Sequence, residues 1–408
     1  MKLIGPFSQA LTLNHLPLKG KIRDESLEVI LEAGLLVKDG YIEQVGVWQD
    51  LKAQFPHAKL EEIEPNRVLV PGLVDCHTHL CFGGNRSRDF SLRNAGKTYL
   101  EIAGEGGGIW DTVQKTRSLS VEELAAITAQ HASRHLHNGV TTIEVKSGYG
   151  LSVSHELMML RAINQADEQV AADLISTCLA AHVKPRDFAG TNTEYLEWIA
   201  SELFPLIRKE NLCNRIDAFV EAGAFTSSEV IPYFEKAKEY GFEFTVHADQ
   251  FTPGASELAI QVGALSADHL EASTDRQIQL LAQSNTIAVA LPGASIGLGV
   301  GFTPARKILD QGGALAIASD WNPGSAPMGD LLCQASILAT FEKLSNAEVW
   351  AGITYRAAAA LGLSDRGRLT SASKADFVAY PTTDYRDILY YQGSMKPVSV
   401  WKSGLMIK

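Results

Sequence analysis

The sequence has few cysteines, and they are too scattered to form a disulfide framework. Their number is odd, which in a chain of 408 residues indicates reduced thiols inside a cell. The first fourteen residues also lack a positively charged stretch followed by an apolar run and a cleavage site. We therefore expect a cytoplasmic protein. The cysteines are Cys76, Cys81, Cys178, Cys213 and Cys333.

Positive charge is in the minority. The chain has 36 Lys and Arg residues against 47 Asp and Glu residues, a formal net charge of −11 at pH 7. A molecule with this balance repels polyanions, and no basic run interleaved with aromatic residues occurs. The composition therefore argues against nucleic acid as a partner.

Long uncharged stretches are also rare. The segment from Ser284 to Thr303 has no charged residue over about the length of a membrane helix. It contains Pro292 and four glycines, which favour a strand followed by a Gly-rich loop. We therefore predict no membrane span and no membrane partner.

Short apolar runs recur from Arg67 onward, separated by longer stretches with helical spacing or turn residues. Runs that are apolar on both faces suit parallel strands covered by helices. Eight such units favour an α/β fold with a closed (β/α)8 TIM barrel, although an open doubly wound sheet shows the same alternation. Helices are predicted over Val121–His137 and Ile231–Tyr240. The runs are Val68–Asp75, Thr141–Lys146, Leu174–Ala181, Ile216–Glu221, Phe244–His247, Ala264–His269, Thr286–Leu291 and Ala314–Ser319.

The two ends of the chain differ from its middle. Glu28–Val45 predicts two strands around the turn at Lys38–Gly40. The tail predicts a strand at Asp376–Tyr380 and a hairpin at Val398–Ile407 that turns at Ser403-Gly404. We therefore predict a small composite β-sandwich domain built from residues 1–66 and 366–408, with the barrel formed by residues 67–365.

The strongest chemical signal is Asp75-Cys76-His77-Thr78-His79, at the end of the first apolar run. Side chains two apart on a strand point to the same face, so His77 and His79 can share one metal ion. Active sites of such barrels lie at the carboxyl ends of the strands, which strengthens the interpretation. A pair of surface or core histidines is the competing explanation.

Three further runs end in polar residues that could complete the site. They are Thr245–Gln250, Ser266–His269 and Ala318–Gly324, which contribute His247, His269 and Asp320 among others. Imidazole and carboxylate groups from different strands are what zinc or iron requires, with one position left for water. Taken singly, each residue could instead be a buried polar group with satisfied hydrogen bonds.

A metal ion at this position would explain a hydrolytic reaction. It lowers the pKa of a coordinated water toward neutrality, which supplies hydroxide to attack a carbonyl. Asp320 could accept the proton, while His269, one strand away, could hold the oxyanion or direct that proton. We predict structural roles for the remaining histidines that no motif singles out, namely His15, His57, His131, His135, His137 and His155.

The run Pro71-Gly72-Leu73-Val74-Asp75-Cys76-His77-Thr78-His79 resembles the opening of the amidohydrolase superfamily. Later segments are similar to those of its imidazolonepropionase family, and the resemblance extends from about Val68 to Lys374. These segments are Gly83–Arg86 with Phe90, Gly106–Ile109, Glu144–Leu151, Ser266–His269 and Asp320-x-Asn322-Pro323-Gly324-Ser325.

The resemblance implies one divalent or trivalent ion per subunit, zinc or iron, and a homodimer. It implies hydrolysis of a small molecule, 4-imidazolone-5-propanoate, to N-formimidoyl-L-glutamate in histidine degradation. The implied metal ligands are His77, His79, His247 and Asp320. The implied substrate contacts are Arg86, Tyr149, His182, Gln250, Asn322, Gly324 and Ser325. Together with the proton chemistry above, we predict His269, Asp320 and His182 as the catalytic residues.

Physical chemistry favours several of these assignments. A net-acidic protein must neutralise the propanoate locally, and Arg86 could bind a carboxylate with two hydrogen bonds, although it could also be a surface cation. Tyr149 follows the turn after the second strand and could line the same rim, or pack. His182 ends the third strand and could hydrogen-bond the ring carbonyl. The turn from Asn322 to Ser325 offers free backbone N–H groups to an anion, or is a tight turn only.

The sequence departs from common patterns at three places. Gln250 replaces the glutamate that many relatives use as a proton shuttle, and an amide cannot take that proton. The loop Gly293–Gly299 lacks an expected aromatic residue. Glu221 stands where binuclear members place a carboxylated lysine, which favours a single ion.

Two alternatives remain at this point. One is a deaminase or a hydantoinase-like enzyme acting on another small heterocycle, and a purine would have no carboxylate for Arg86. The other is a non-catalytic metal-binding relative, although no expected ligand is missing here.

Overall fold

The structure, a computed structural model, describes the backbone of residues 1–408 and every side chain except those of Tyr99, Leu100 and Ala103. The strands are β1 (Lys2–Leu11), β2 (Val29–Lys38), β3 (Tyr41–Val47), β4 (Lys59–Glu62), β5 (Val68–Pro71), β6 (Leu73–Asp75), β7 (Val140–Lys146), β8 (Asp173–Ala181), β9 (Arg215–Phe219), β10 (Glu243–Ala248), β11 (Ser266–His269), β12 (Ile287–Ala290), β13 (Leu315–Ile317), β14 (Phe377–Tyr380), β15 (Ser399–Lys402) and β16 (Leu405–Met406).

The helices alternate with the barrel strands and continue beyond them. They are α1 (Trp48–Gln54), α2 (Ser87–Asn94), α3 (Tyr99–Gly104), α4 (Ile109–Arg117), α5 (Val121–His137), α6 (Val153–Asp167), α7 (Asn192–Glu210), α8 (Ser227–Glu239), α9 (Ala255–Val262), α10 (Asp275–Gln283), α11 (Pro292–Leu298), α12 (Ala305–Asp310), α13 (Leu331–Glu342), α14 (Asn346–Gly352), α15 (Tyr355–Ala360) and α16 (Tyr385–Tyr390).

Strands β6 to β13 form one parallel sheet in sequence order, and this sheet curls into a barrel. The first and last strands, β6 and β13, share no regular ladder in the described backbone, but the chain segments that follow them meet. The Asp320 amide donates to the His77 carbonyl at 3.0 Å, and the His79 amide donates to the Trp321 carbonyl at 2.9 Å. These hydrogen bonds form the barrel seam. The predicted (β/α)8 TIM barrel is therefore confirmed.

The first predicted strand, Val68–Asp75, is wrong as a single element. Its first half, β5, pairs with β14 and β1 outside the barrel, and its second half, β6, pairs with β7. The chain crosses between the two sheets at Gly72, where a Cβ atom would collide with Thr141. Both halves are buried, so the apolar pattern continues across the crossing without a break.

A second sheet combines both ends of the chain in the order β16-β15-β14-β5-β1-β2-β3, with β4 also paired to β1. The rings of Phe7 on β1 and Trp401 on β15 lie 6.2 Å apart, although two strands separate their own. The sheet therefore folds over its own apolar face, as expected for a sandwich-like module. The composite terminal module is confirmed, while its domain bounds stay a prediction.

The predicted helices are present with small shifts. Helix α5 has the predicted bounds because a capping box of Ser120 and Glu123 fixes its start. The helix predicted over Ile231–Tyr240 is α8, which begins earlier, at Ser227. The Gly-rich loop predicted after Pro292 is wrong in part, because Pro292 begins the short helix α11. None of the helices in the described part of the chain combines the length and the apolar character that a membrane crossing requires.

A charged cluster joins the amino end of the barrel to the terminal module. Asp173 Oδ2 lies 2.5 Å from Arg366, 2.8 Å from Lys374 and 3.0 Å from Lys402. Burial alone would raise the pKa of Asp173, but these three cations lower it to about 2. Lys402 also pairs with Asp376, and Arg366 with Asp365. We call these six residues the anchor cluster.

Candidate active site and metal centre

Three imidazoles and one carboxylate converge at the carboxyl end of the barrel. The Nε2 atom of His79 lies 3.3 Å from that of His77 and 3.2 Å from that of His247. Asp320 Oδ1 lies 3.6 Å from His77 Nε2 and 3.5 Å from His79 Nε2. Zinc–nitrogen bonds of about 2.0–2.1 Å at tetrahedral angles would place donor atoms about 3.4 Å apart. The four donors therefore fit a metal ion of this size.

The backbone at the strand ends positions these ligands. His77 and His79 follow β6 and are held by the barrel seam, and His247 lies within β10. Asp320 follows β13 with a φ of 51°, and His269 ends β11 with a φ of 87°. A non-glycine residue with positive φ costs of order 1–3 kcal/mol, so the surrounding structure must hold these two in place.

Burial keeps the three histidines neutral. It lowers the pKa of His77 and His79 well below the ordinary value and that of His247 to about 4. A neutral imidazole can present a lone pair to a metal ion. Nδ1 of His79 has no hydrogen-bond partner within the described part of the chain.

Carboxylates behind the ligands orient two of the rings. Asp268 Oδ2 lies 2.7 Å from His77 Nδ1, and Asp217 Oδ2 lies 2.9 Å from His247 Nδ1. The first contact is a hydrogen bond that fixes the proton on His77 Nδ1 and leaves Nε2 free to ligate. The second is a close charge contact, since neither His247 Nδ1 nor Asp217 Oδ2 has a hydrogen bond of regular geometry among the described residues. Burial raises the pKa of Asp268, and Lys146 opposes that rise. Burial would also raise the pKa of Asp217, but His247 and Lys146 lower it far below the ordinary value.

A cavity of about 600 Å³ opens above the four metal-ligand candidates, and the predicted substrate residues line it. His77 lies beneath it, fully buried. The predicted residues that line it are His79, Arg86, Tyr149, His182, His247, Gln250, His269, Asp320, Asn322, Gly324 and Ser325.

Two guanidinium groups face this cavity. Nε of Arg86 donates to Asp89 at 2.8 Å, and Asp89 is itself held by the Gly108 amide at 2.8 Å. A Cβ atom at position 324 would collide with the Arg86 guanidinium, so Gly324 makes room for it. Arg93, which the sequence did not single out, also lines the cavity and reaches the Gly324 carbonyl at 3.4 Å.

Tyr149 and His182 lie side by side, with ring centroids 5.6 Å apart. Burial raises the pKa of Tyr149, so its phenol stays protonated and can donate. His182 Nδ1 donates to the Gly148 carbonyl at 3.0 Å, and burial lowers the pKa of His182 to about 4. In this neutral tautomer Nε2 accepts a hydrogen bond and cannot donate to a substrate carbonyl.

The turn after β13 differs from the expectation in one respect. The amides of Gly324 and Ser325 donate to Asn322 Oδ1 at 2.7 and 2.8 Å. These two amides are therefore not free to bind an anion, and the prediction that the turn offers free N–H groups is wrong. The Asn322 amide group in turn donates to the Asp320 carbonyl at 2.7 Å. The turn thus supports the backbone of a metal-ligand candidate and lines the cavity.

The groups expected to handle protons lie on the same side. Glu271 Oε2 is 3.5 Å from His269 Nδ1. Burial opposes protonation of His269, yet Glu271 and other facing carboxylates raise its pKa above the ordinary value. Burial raises the pKa of Asp320 to about 7, against the effect of His269. Glu221 accepts from the Phe251 amide at 2.8 Å and so ties down the loop after Gln250.

Histidines predicted to be structural lie outside the cavity lining. His135 Nε2 lies 2.7 Å from Asp75 Oδ2, with both side chains buried. His131 Nδ1 lies 2.9 Å from the Leu80 carbonyl, and its ring stacks on Phe82 at 5.0 Å. Both contacts connect helix α5 to the segment around β6.

Several functional candidates were missed from the sequence. Lys146, Glu144 and Asp217 are charged residues inside otherwise apolar strands, which was an available signal. Charges placed there are buried and must be paired, so they indicate a built polar interior. Arg93 lies on helix α2 with no comparable pattern to reveal it.

Comparisons with known proteins agree with this arrangement. The profile of the amidohydrolase family matches residues 68–407. The chain is 38% identical over 408 residues to the imidazolonepropionase of Bacillus cytotoxicus, covering 98% of this chain and 95% of that protein. It is also 38% identical to the imidazolonepropionase of Bacillus cereus, covering 94% and 92% of the two chains.

Solved structures share the fold. Guanine deaminase of E. coli superimposes with a TM-score of 0.75 at 17% identity, covering 100% of this chain and 99% of that one. An adenosine deaminase of Xanthomonas campestris with bound zinc gives 0.70 at 18% identity, covering 99% and 92%. At these identities the likeness concerns the fold alone. The family match and the near full-length relatives show that the chain belongs to the amidohydrolase family, and within it to the imidazolonepropionases.

Proposed function

We propose that this chain hydrolyses the ring amide of 4-imidazolone-5-propanoate to N-formimidoyl-L-glutamate. The chain is a hydrolase of carbon–nitrogen bonds in cyclic amides, as its family membership indicates. The observation that supports the specific substrate is a single cavity with metal-ligand candidates and two guanidinium groups on its wall. A heterocycle that carries a carboxylate tail needs both features.

The guanidinium groups would bind the propanoate. Arg86 uses Nε for Asp89, which leaves its terminal N–H groups for a ligand carboxylate. Arg93 adds a second cation beside it. Tyr149 would donate its phenolic hydrogen to the same carboxylate or to the ring, since its pKa is raised.

The ring would be oriented by His182. Because Nδ1 donates to Gly148, Nε2 can accept a hydrogen bond from a ring N–H group of the substrate. This assignment replaces a hydrogen bond to the ring carbonyl, which that tautomer cannot donate.

A divalent metal ion fits the ligand set of His77, His79, His247 and Asp320, and we propose one ion per subunit, zinc or iron. Nitrogen and oxygen ligands of this kind suit both metals. When bound, the ion would supply Lewis-acid activation of water and of the carbonyl. Metal analysis of the purified protein, followed by reloading with each metal, decides between them.

Protons would be handled by Asp320 and His269. The Asp320 carboxylate lies at the ligand cluster and can accept a proton from the attacking water. His269, held beside Glu271, can donate to the leaving ring nitrogen or stabilise the developing oxyanion. Gln250 lines the cavity and can orient substrate by hydrogen bonds, but it cannot exchange a proton.

The decisive experiment follows the absorbance of imidazolonepropionate, generated from urocanate, with the metal-loaded enzyme and with Arg86→Ala. We expect turnover by the wild type and a kcat/KM lower by about 100-fold in the variant, since a charge-assisted carboxylate contact is lost. Arg88→Ala is the matched control, because Arg88 is exposed on helix α2, which begins directly after Arg86. Absence of turnover by zinc- and iron-loaded wild type would refute the substrate assignment.

The homodimer is proposed from the family resemblance alone. Light scattering of the purified protein is expected to give twice the mass of one chain, and a monomer at micromolar concentration would contradict it.

A further inference from the structure

Lys146 lies at the end of β7 with its ammonium group buried among carboxylates. Nζ lies 2.7 Å from Glu144 Oε1, 2.9 Å from Asp217 Oδ2 and 3.9 Å from Asp268 Oδ2. All four side chains are fully buried. We call Lys146 and these three carboxylates the floor cluster, because they lie beneath the ligand candidates.

The floor cluster is connected to the ligand candidates through two of its carboxylates. Asp217 faces Nδ1 of His247 at 2.9 Å, and Asp268 faces Nδ1 of His77 at 2.7 Å. Lys146 therefore contacts both groups that orient these rings. The proposed substrate contacts do not involve it, because it does not line the cavity.

Electrostatics explains why a cation is needed at this position. Three buried carboxylates repel one another strongly in a medium of low dielectric constant. Removing Lys146 would leave Asp217 and Asp268 facing each other with no ammonium group between them. Their side chains would then be expected to move apart and to carry the imidazoles with them.

We propose that Lys146 is a positioning residue for the metal ion: its ammonium group holds Asp217 and Asp268 together and thereby fixes the rings of His247 and His77. This inference rests on the metal site of the proposed function. In the segment Lys146-Ser147-Gly148-Tyr149, Tyr149 would then contact the substrate, while Lys146 would position the metal ligands.

The test measures zinc affinity of the metal-free protein by competition with a chromophoric chelator. Lys146→Met is expected to weaken zinc binding by about 10–100-fold, the usual effect of losing a group that orients metal ligands. The double variant Lys146→Met with Asp268→Asn is expected to recover part of that loss. The amide oxygen introduced by Asp268→Asn can still accept a hydrogen bond from His77, while the negative charge that repels Asp217 is removed.

Lys402→Met is the matched control, because Lys402 is a buried lysine paired with Asp376 far from the cavity. It is expected to lower stability and leave zinc affinity unchanged. A folded Lys146→Met protein that binds zinc as tightly as the wild type overturns the proposal. If Lys146→Met does not fold, the double variant must fold, since one carboxylate fewer relieves the repulsion; a double variant that stays unfolded also overturns it.

Failure of this inference is distinguishable from failure of the proposed function. Wild-type protein that binds no zinc or iron removes the metal site itself. Wild-type protein that binds zinc and turns over substrate, with unchanged affinity in Lys146→Met, refutes the positioning role alone.

Discussion

The floor cluster and the anchor cluster use the same kinds of side chain but differ in charge balance. The anchor cluster has three cations and three carboxylates and joins the terminal module to the amino end of the barrel. The floor cluster has one cation and three carboxylates at the carboxyl end. The floor cluster is fully buried, whereas Asp173, Lys374 and Asp365 of the anchor cluster are partly exposed.

The difference shows what each cluster is suited for. A balanced cluster satisfies its own charges and needs no further partner, which suits a structural junction. In the floor cluster one ammonium group holds three carboxylates in place, and two of these carboxylates face the imidazoles that they orient. The charge balance of a buried cluster therefore separates a structural junction from a support for metal binding.

Removing one of the metal-ligand candidates should have the largest effect. In His247→Ala we expect bound zinc to fall below one tenth of an equivalent and kcat/KM to fall by about 10³-fold or more. The reason is that a metal ion supplies several kcal/mol of transition-state stabilisation. Metal analysis and the absorbance assay measure both effects. His57→Ala, which removes an exposed histidine, should change neither, and metal retained by His247→Ala would disprove the ligand assignment.

The anchor cluster should respond to acid rather than to metal. The pKa of Asp173 is about 2 when folded against 3.8 normally, so its stabilisation is complete above pH 3.8 and is lost as the pH falls through 2. Asp173→Asn should lower the free energy of unfolding by about 2 kcal/mol at pH 7. Urea titrations of the metal-free protein from pH 7 to pH 2 should show this difference shrinking below pH 3.8. A difference independent of pH would contradict the assignment.

Removing the Arg93 side chain should have a moderate effect on substrate binding. Arg93→Ala should raise KM for imidazolonepropionate about tenfold, equal to about 1.4 kcal/mol, with zinc affinity unchanged. Arg93 already donates to the Gly324 carbonyl, whereas Asp89 fixes Arg86 through Nε and leaves its terminal N–H groups for a ligand, so we expect a smaller contribution from Arg93. An unchanged KM would restrict carboxylate binding to Arg86.

Removing an exposed ion pair should have the smallest effect on the free energy of unfolding. Arg276 pairs with Glu257 at the surface, and its side chain is 74% exposed. Arg276→Ala should change the free energy of unfolding by less than about 0.5 kcal/mol, as measured by the same urea titrations. A loss approaching that of Asp173→Asn would mean that burial does not decide the strength of ion pairs here.

The sequence predicted the barrel and the ligand candidates because both follow local rules. Apolar runs give parallel strands, and a polar residue at a strand end points into the mouth of the barrel. His77, His79, His247 and Asp320 were each adjacent to such a run, so their convergence followed from the fold class.

What the sequence did not predict depends on contacts between distant segments. The pairing of Lys146 with Asp217 and the proximity of Arg93 to Gly324 join different strands and loops. The strand boundary at Gly72 was missed because two buried strands of different sheets look like one apolar run. The orientation of His182 was set by the Gly148 carbonyl, which no pattern in the sequence reveals.

A bound ion would also strengthen the barrel seam. His77 and His79 belong to the segment after the first strand of the barrel, and Asp320 to the segment after the last. An ion shared by them would cross-link the two ends of the cylinder, adding to two backbone hydrogen bonds. Coordination would then stabilise the closed barrel as well as the active site. Amide hydrogen exchange at His79 and Asp320 would therefore slow when the ion is loaded.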